Sequence, residues 1–124
     1  MARKLPKETE TQKQERSQAI KEATLQAARV PLQTAQQALE VLKLAVRMAA
    51  IGNLSAISDA AAGANLALAA LKSAALNVRI NLQGLDQETE PAQMLKELAD
   101  LEQQTEPIMQ ELEESLWQRA GLSS

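Results

Sequence analysis

The sequence predicts an all-α fold, an elongated bundle of three to four long helices kinked at Pro31 and Pro107. Three observations carry that prediction. Alanine and leucine dominate a chain that is 45% hydrophobic, whereas Phe and Tyr are absent and a single Trp stands at 117. A sheet would need the β-branched and aromatic residues that are scarce here. Apolar residues also recur at alternating spacings of three and four, the period of a helix seam. Finally, Gly52, Gly84 and Gly121 stand at the ends of these long periodic stretches, where glycine stops helices. At 124 residues the chain makes one domain.

Residues 1–9 are a lead-in, because the Leu5-Pro6 pair disfavours helix at Leu5. Thr9 or Thr11 can cap the first helix, expected over 10–51. Its early part is weakly apolar, with Ile20, Ala23, Ala27 and Val30 as the expected buried face. Pro31 removes one backbone hydrogen bond and predicts a kink. Beyond it, Leu32, Ala35, Leu39, Leu42, Val46 and Ala49 form a narrow seam, which Ala38, Val41, Ala45 and Met48 widen to a full buried face. Gly52-Asn53 ends this helix.

The central helix, 58–83, begins at Ser58 and Asp59, short polar residues suited to a cap, and runs on as alanine and leucine. It is apolar on nearly all sides, which predicts burial, and its length is roughly 35 Å. At about 100° per residue, Asp59, Ser73, Asn77 and Asn81 share one narrow sector, with Gly63 and Ala70 on the same line. Lys72 and Arg79 form a second line. Buried polar groups need partners, so this line calls for backbone, water or a ligand. Gly84 closes the helix and 86–89 is a loop. A last helix, 90–120, starts with Pro91 in its first turn and carries the seam Met94, Leu98, Leu101, Thr105, Ile108 and Leu112. Its acidic residues fall off that seam and are expected to be solvated.

The chain has no cysteine and no histidine, which excludes disulfides, a thiol nucleophile, imidazole acid–base chemistry and Cys/His metal sites. Proton transfer therefore falls to carboxylate, lysine, backbone or water. The polar first twenty residues resemble no signal peptide, and the apolar run Ala60 to Leu71 is short and interrupted. Both predict a cytoplasmic protein with no membrane partner. The net charge of −3 divides unevenly: residues 23–84 carry five basic and two acidic side chains, residues 85–124 two basic and ten acidic. The middle segment suits a small anionic ligand or the acidic segment itself. It lacks the dense basic stripe and stacking aromatics of a nucleic-acid module.

Three motifs in order carry a family resemblance: the VPL start of a helix (Val30, Pro31, Leu32), the GN…SD turn into an alanine-rich helix (Gly52, Asn53, Ser58, Asp59), and the NVRIN ending (Asn77, Val78, Arg79, Ile80, Asn81). With the KLPKET opening (Lys4 to Thr9), they resemble the formiminotransferase-cyclodeaminase family, which includes bacterial methenyltetrahydrofolate cyclohydrolases. The resemblance implies an all-helical dimeric or larger homo-oligomeric domain acting on a tetrahydrofolate derivative as substrate, without a metal. Its members convert formimino- to methenyl-tetrahydrofolate with release of ammonia, or interconvert methenyl- and 10-formyl-tetrahydrofolate with water. They also open with a proline- and glycine-rich loop that this chain lacks, which predicts a truncated form.

In this light Asp59 is the candidate catalytic carboxylate, orienting ligand or water, with Ser58 beside it; equally, the two are a helix cap. Asn77 and Asn81 either bridge buried backbone or donate to pterin or glutamate groups. Arg79 and Lys72 are either solvated charges or contacts for the folate glutamate tail, for which arginine offers bidentate donors. Two functional readings follow. One is a folate-transforming domain; the other is a non-catalytic dimerisation or scaffold module on the same helices.

Overall fold

A computed structural model describes residues 9–123 as three long helices and one short 3-10 turn. Helix α1 spans Glu10–Ile51, α2 Ile57–Asn81 and α3 Thr89–Ala120; the 3-10 turn, Leu54–Ala56, joins the first two. No strand occurs among the described residues, and the all-α bundle is the observed fold. The expected lead-in and the Leu5-Pro6 break lie outside the described residues apart from Thr9.

The helix ends follow local chemistry. Thr9 caps α1 by accepting from the Gln12 N–H, and the Gln12 side chain accepts from the Thr9 N–H, a reciprocal capping box. At the other end, a Cβ on Gly52 would stand 2.5 Å from the Met48 carbonyl oxygen, so only glycine fits there. The cap expected at Ser58 and Asp59 is not formed: α2 begins one residue earlier, at Ile57, with no side-chain cap. Instead Asn53 caps the 3-10 turn by accepting from the Ser55 N–H. Asp59 sits in the first turn of α2, where its charge complements the free N–H groups. Helix α3 ends on Gly121 at φ 67°, with the Leu122 N–H reaching back to the Leu116 carbonyl.

Pro31 and Pro107 both lie inside continuous helices. Arg29 pairs with Glu90 and Gln36 with Glu97 at one constant offset, so α3 runs parallel to α1. The α2 helix runs antiparallel to both: Gly63 faces Ala45, and Asn81 faces Ala27.

The core lies along the axis where the three helices meet. Leu42, Val46, Leu71, Val78, Leu98 and Leu112 are all at most 1% exposed. The seam from Leu32 to Ala49 is buried throughout, as its spacing requires. The α3 seam is buried or half-buried.

Four expectations are corrected. Ile20, Ala23, Ala27 and Val30 are exposed; the early part of α1 buries Leu25 and Ala28 instead. Val41 and Met48 are also exposed, so the widened α1 face is covered on one side only. Helix α2 is not buried all round: Leu66, Leu76 and Ile80 are about two-thirds exposed. By length and composition, Leu54–Asn81 is apolar enough to cross a membrane, contrary to the reading of its run as too short. Its other side nevertheless packs into the bundle through Ala64, Leu71 and Val78.

Several acidic residues of α3 and its preceding turn are paired rather than merely solvated. Lys21 Nζ lies 2.7 Å from Glu88 Oε1, and Arg79 forms a two-pronged contact with Glu102, its Nη1 donating to Oε2 at 2.8 Å. The charge asymmetry of the chain is thus spent partly on docking its acidic segment to its basic one.

Candidate functional site

The predicted polar line meets α1 in an open groove of about 420 Å³. Ser73, Asn77 and Asn81 line it from α2, and Val30, Pro31 and Thr34 from α1. Their spacing on α2, four residues each, puts them on successive turns of one face. Small residues, Ala27, Ala70 and Ala74, form its floor and keep the two backbones close.

Asn81 shows why the groove has its shape. Pro31 has no N–H, so the Ala27 carbonyl loses its helical donor. Asn81 Nδ2 donates to that carbonyl at 3.4 Å and to the Asn77 carbonyl at 3.0 Å. Asn81 therefore follows the backbone-bridging alternative, and its amide oxygen side is what remains for a ligand. Ser73 and Asn77 are exposed in the groove, and neither is buried as the apolar pattern of α2 implied. Thr34 donates its hydroxyl to the Val30 carbonyl at 3.2 Å, which leaves its oxygen able to accept. The lining is uncharged and presents hydroxyl and amide groups above apolar walls.

The other candidates stand elsewhere. Asp59 borders a second hollow with Met48, Asn53 and Ala60 at the opposite end of α2. Eighteen positions separate it from Asn77, about 27 Å along a helix, so the two do not meet in one copy of the chain. Ser58 is exposed beside Asp59. Lys72 is exposed on the far side of α2 from the groove floor. Arg79 faces α3, where Glu102 occupies its guanidinium.

Reading the sequence alone did not single out Thr34 or the Ala27 carbonyl. The signal for the carbonyl was available, since a proline inside a helix orphans the acceptor four residues before it. Among the described residues no cluster of three acidic side chains is arranged to hold a metal.

The Arg79–Glu102 pair has a pH signature. The Arg79 hydrogen bond and charge hold the Glu102 carboxyl below the usual carboxylate range, against a smaller opposing effect of burial. The same pairing raises Arg79. A depressed acid contributes stability that is complete above its unfolded pKa, about 4.3, and is lost as pH falls through the lower folded value. Glu102→Gln is therefore expected to flatten the acid limb of the stability curve below about pH 4.3. The change at neutral pH is expected to be under about 1 kcal/mol, because the pair is partly exposed. Urea unfolding at a series of pH values measures it; an unchanged acid limb would exclude this contribution.

The sequence model of the formiminotransferase-cyclodeaminase family matches residues 1–100, most of the chain. The chain belongs to the formiminotransferase-cyclodeaminase family. Among curated members, a methenyltetrahydrofolate cyclohydrolase from Methylorubrum extorquens is 44% identical over 97 residues, covering 78% of this chain and 47% of that protein. A formimidoyltransferase-cyclodeaminase from Sus scrofa is 32% identical over 103 residues, covering 83% of this chain and 19% of that protein. The chain thus spans about half the length of its bacterial relative in the family and a fifth of its mammalian one. Both the groove and Asp59 lie within the part that matches the formiminotransferase-cyclodeaminase model.

Proposed function

We propose that this chain binds a one-carbon tetrahydrofolate in the α1–α2 groove and takes part, as a homo-oligomer, in cyclohydrolase or cyclodeaminase chemistry. Membership of the formiminotransferase-cyclodeaminase family, with relatives named for those two activities, is the observation that carries this reading. The groove adds chemical support. Its hydroxyl and amide groups suit a flat, neutral, hydrogen-bonding heterocycle held between apolar walls. Such a ligand brings its own electrophile, an amidine-like or methenyl carbon. The protein then has to orient the ligand and a water, and to stabilise the charge that moves from carbon to nitrogen. With no histidine or cysteine in the sequence and no charged side chain lining the groove, water carries the protons there.

Titration and turnover with 5,10-methenyl-tetrahydrofolate test the proposal through loss of the methenyl absorbance. Asn77→Leu is expected to weaken binding about tenfold, the loss of one hydrogen bond to a polar ligand. Asp59→Asn, in the same assay, tests the sequence-based candidate for proton transfer. If Asp59→Asn removed binding and Asn77→Leu did not, the site would lie at the 3-10 turn and the groove assignment would fail. Absence of both binding and turnover in the unaltered chain would overturn the folate reading itself.

A further inference from the structure

We infer that Asn81 fixes the hydrogen-bond polarity of the α1–α2 groove, so that the groove selects a ring whose edge offers two adjacent N–H donors, and that Pro31 is the positioning residue that sets Asn81. The inference rests on the folate reading above and names what the groove recognises in its ligand.

The chain of cause starts in α1. Pro31 leaves that helix continuous, and its effect falls instead on the acceptor it frees, the Ala27 carbonyl. Asn81, the last residue of α2, supplies the missing donor from the facing helix. Its Nδ2 donates to the Ala27 carbonyl at 3.4 Å and to the Asn77 carbonyl at 3.0 Å. A carboxamide nitrogen carries two hydrogens, and both are committed. The reversed amide would set its oxygen against two carbonyl oxygens, so only one orientation satisfies the chemistry. Oδ1 is left without a donor among the described residues, on a half-buried side chain that lines the groove. It is a preset acceptor. Such a group gains when a donor reaches it and loses its hydration for nothing when another acceptor does.

The neighbouring groups complete a pattern. Asn77 stands one turn back on α2, about 6 Å along the axis. The side chains of Asn77 and Ser73 make no hydrogen bond to the described residues, so both are free to turn a donor into the groove. Thr34, across from them, spends its hydroxyl hydrogen on the Val30 carbonyl at 3.2 Å and presents oxygen alone. Along α2 the groove therefore reads as a fixed acceptor at Asn81 followed by an adaptable donor at Asn77.

The 2-amino-4-oxo ring of a tetrahydrofolate carries the complement on one edge: an amino group, then a ring N–H, then a carbonyl. The two lone pairs of Asn81 Oδ1 match the two adjacent donors, and the Asn77 amide nitrogen matches the carbonyl beside them. A 2,4-dioxo ring of the same shape places a carbonyl against Oδ1, where two acceptors meet and neither is satisfied. No charged side chain lines the groove, so the ring is distinguished by hydrogen bonds rather than by net charge. Rejection of an analogue that lacks the required N–H is the stronger for it, because the polar group of the site is then left unpaired.

Folic acid and its 2-deamino-2-oxo analogue differ at that one group, and equilibrium dialysis against the full chain compares them. Folic acid is expected to bind at least about tenfold more tightly. Asn81→Leu offers no acceptor and is expected to reduce the ratio to about twofold or less. Pro31→Ala is the sharper test. Alanine restores an N–H to the Ala27 carbonyl and is the better helix former, so the thermal midpoint is expected to hold or rise. Asn81 is then released from that carbonyl, and the ratio is expected to fall at least about threefold, through tighter binding of the 2-oxo analogue. A purely structural role for Pro31 would not raise stability while lowering selectivity. Should Asn81→Leu lose its helical circular dichroism, Pro31→Ala decides alone. Equal affinity for the two analogues in a chain that binds 5,10-methenyl-tetrahydrofolate would overturn this inference and leave the folate reading in place. A ratio that Pro31→Ala leaves unchanged would do the same. A chain that binds none of these ligands would overturn the folate reading and this inference with it.

Discussion

Leu42→Ala is expected to lower the unfolding free energy by about 2–5 kcal/mol, the cost of the lost burial plus the cavity left behind. Leu42 is 0% exposed and sits in the α1 seam where α2 and α3 both pack. The core has no aromatic side chain able to shift into the gap, since the only aromatic residue of the chain, Trp117, is 66% exposed. Against a total of about 5–15 kcal/mol for a domain, such a loss removes a large share of the stability. Urea unfolding followed by far-ultraviolet circular dichroism measures it, at one protein concentration so that association does not shift the midpoint. Trp117 fluorescence is the wrong probe for the same reason of exposure. A change below about 1 kcal/mol would mean that the three helices do not close on this residue.

The second large effect is expected at Arg119. It is the basic residue in the last turn of α3, and its side chain reaches the end of α1. Nη1 donates to the Ala49 carbonyl at 2.6 Å and Nη2 to the Gly52 carbonyl at 2.7 Å. Those carbonyls lie at the C-terminus of α1, where no helical donor follows, and α1 has no basic residue of its own in its last turn. Arg119 thus caps one helix from another and ties the start of the 3-10 turn to α3. Arg119→Ala removes two charge-assisted hydrogen bonds and is expected to cost about 2–3 kcal/mol. Arg119→Lys is expected to recover less than half, because one ammonium cannot reproduce the planar two-pronged geometry. If Arg119→Ala and the unaltered chain unfolded at the same urea concentration, the clamp would contribute nothing and α3 would be held by its seam alone.

The pair of predictions separates what was legible in the sequence from what was not. The Leu32–Ala49 seam and the seam from Met94 to Leu112 follow from spacing alone, because burial of a helix face repeats with the helix period. The punctuation at Thr9, Gly52 and Gly121 follows from backbone chemistry that is local. Arg119 as a cap for α1 is different. Seventy positions separate it from Ala49, and no pattern within either helix links them.

The candidate site divides in the same way. The sequence put Ser73, Asn77 and Asn81 on one line, and the structure places that line in a groove. It also put Asp59 on the line, and the length of α2 then separates it from the others. Angular position on a helix is periodic and survives any packing, whereas distance along the axis grows with every residue. Arg79 was a free cation in the sequence; Glu102 claims it once α3 folds back beside α2.

What the sequence determined by itself was the class of the fold, the ends of α1 and α3, the two buried seams and the family signature, because each depends on residues within a few turns of one another. The tertiary structure decided which faces of α1 and α2 remain uncovered, which carbonyl Asn81 satisfies and which cation Glu102 binds. An apolar stripe read from spacing says only that a face seeks cover. With three helices, α1 and α2 each bury one face against the core, and geometry leaves the opposite faces open.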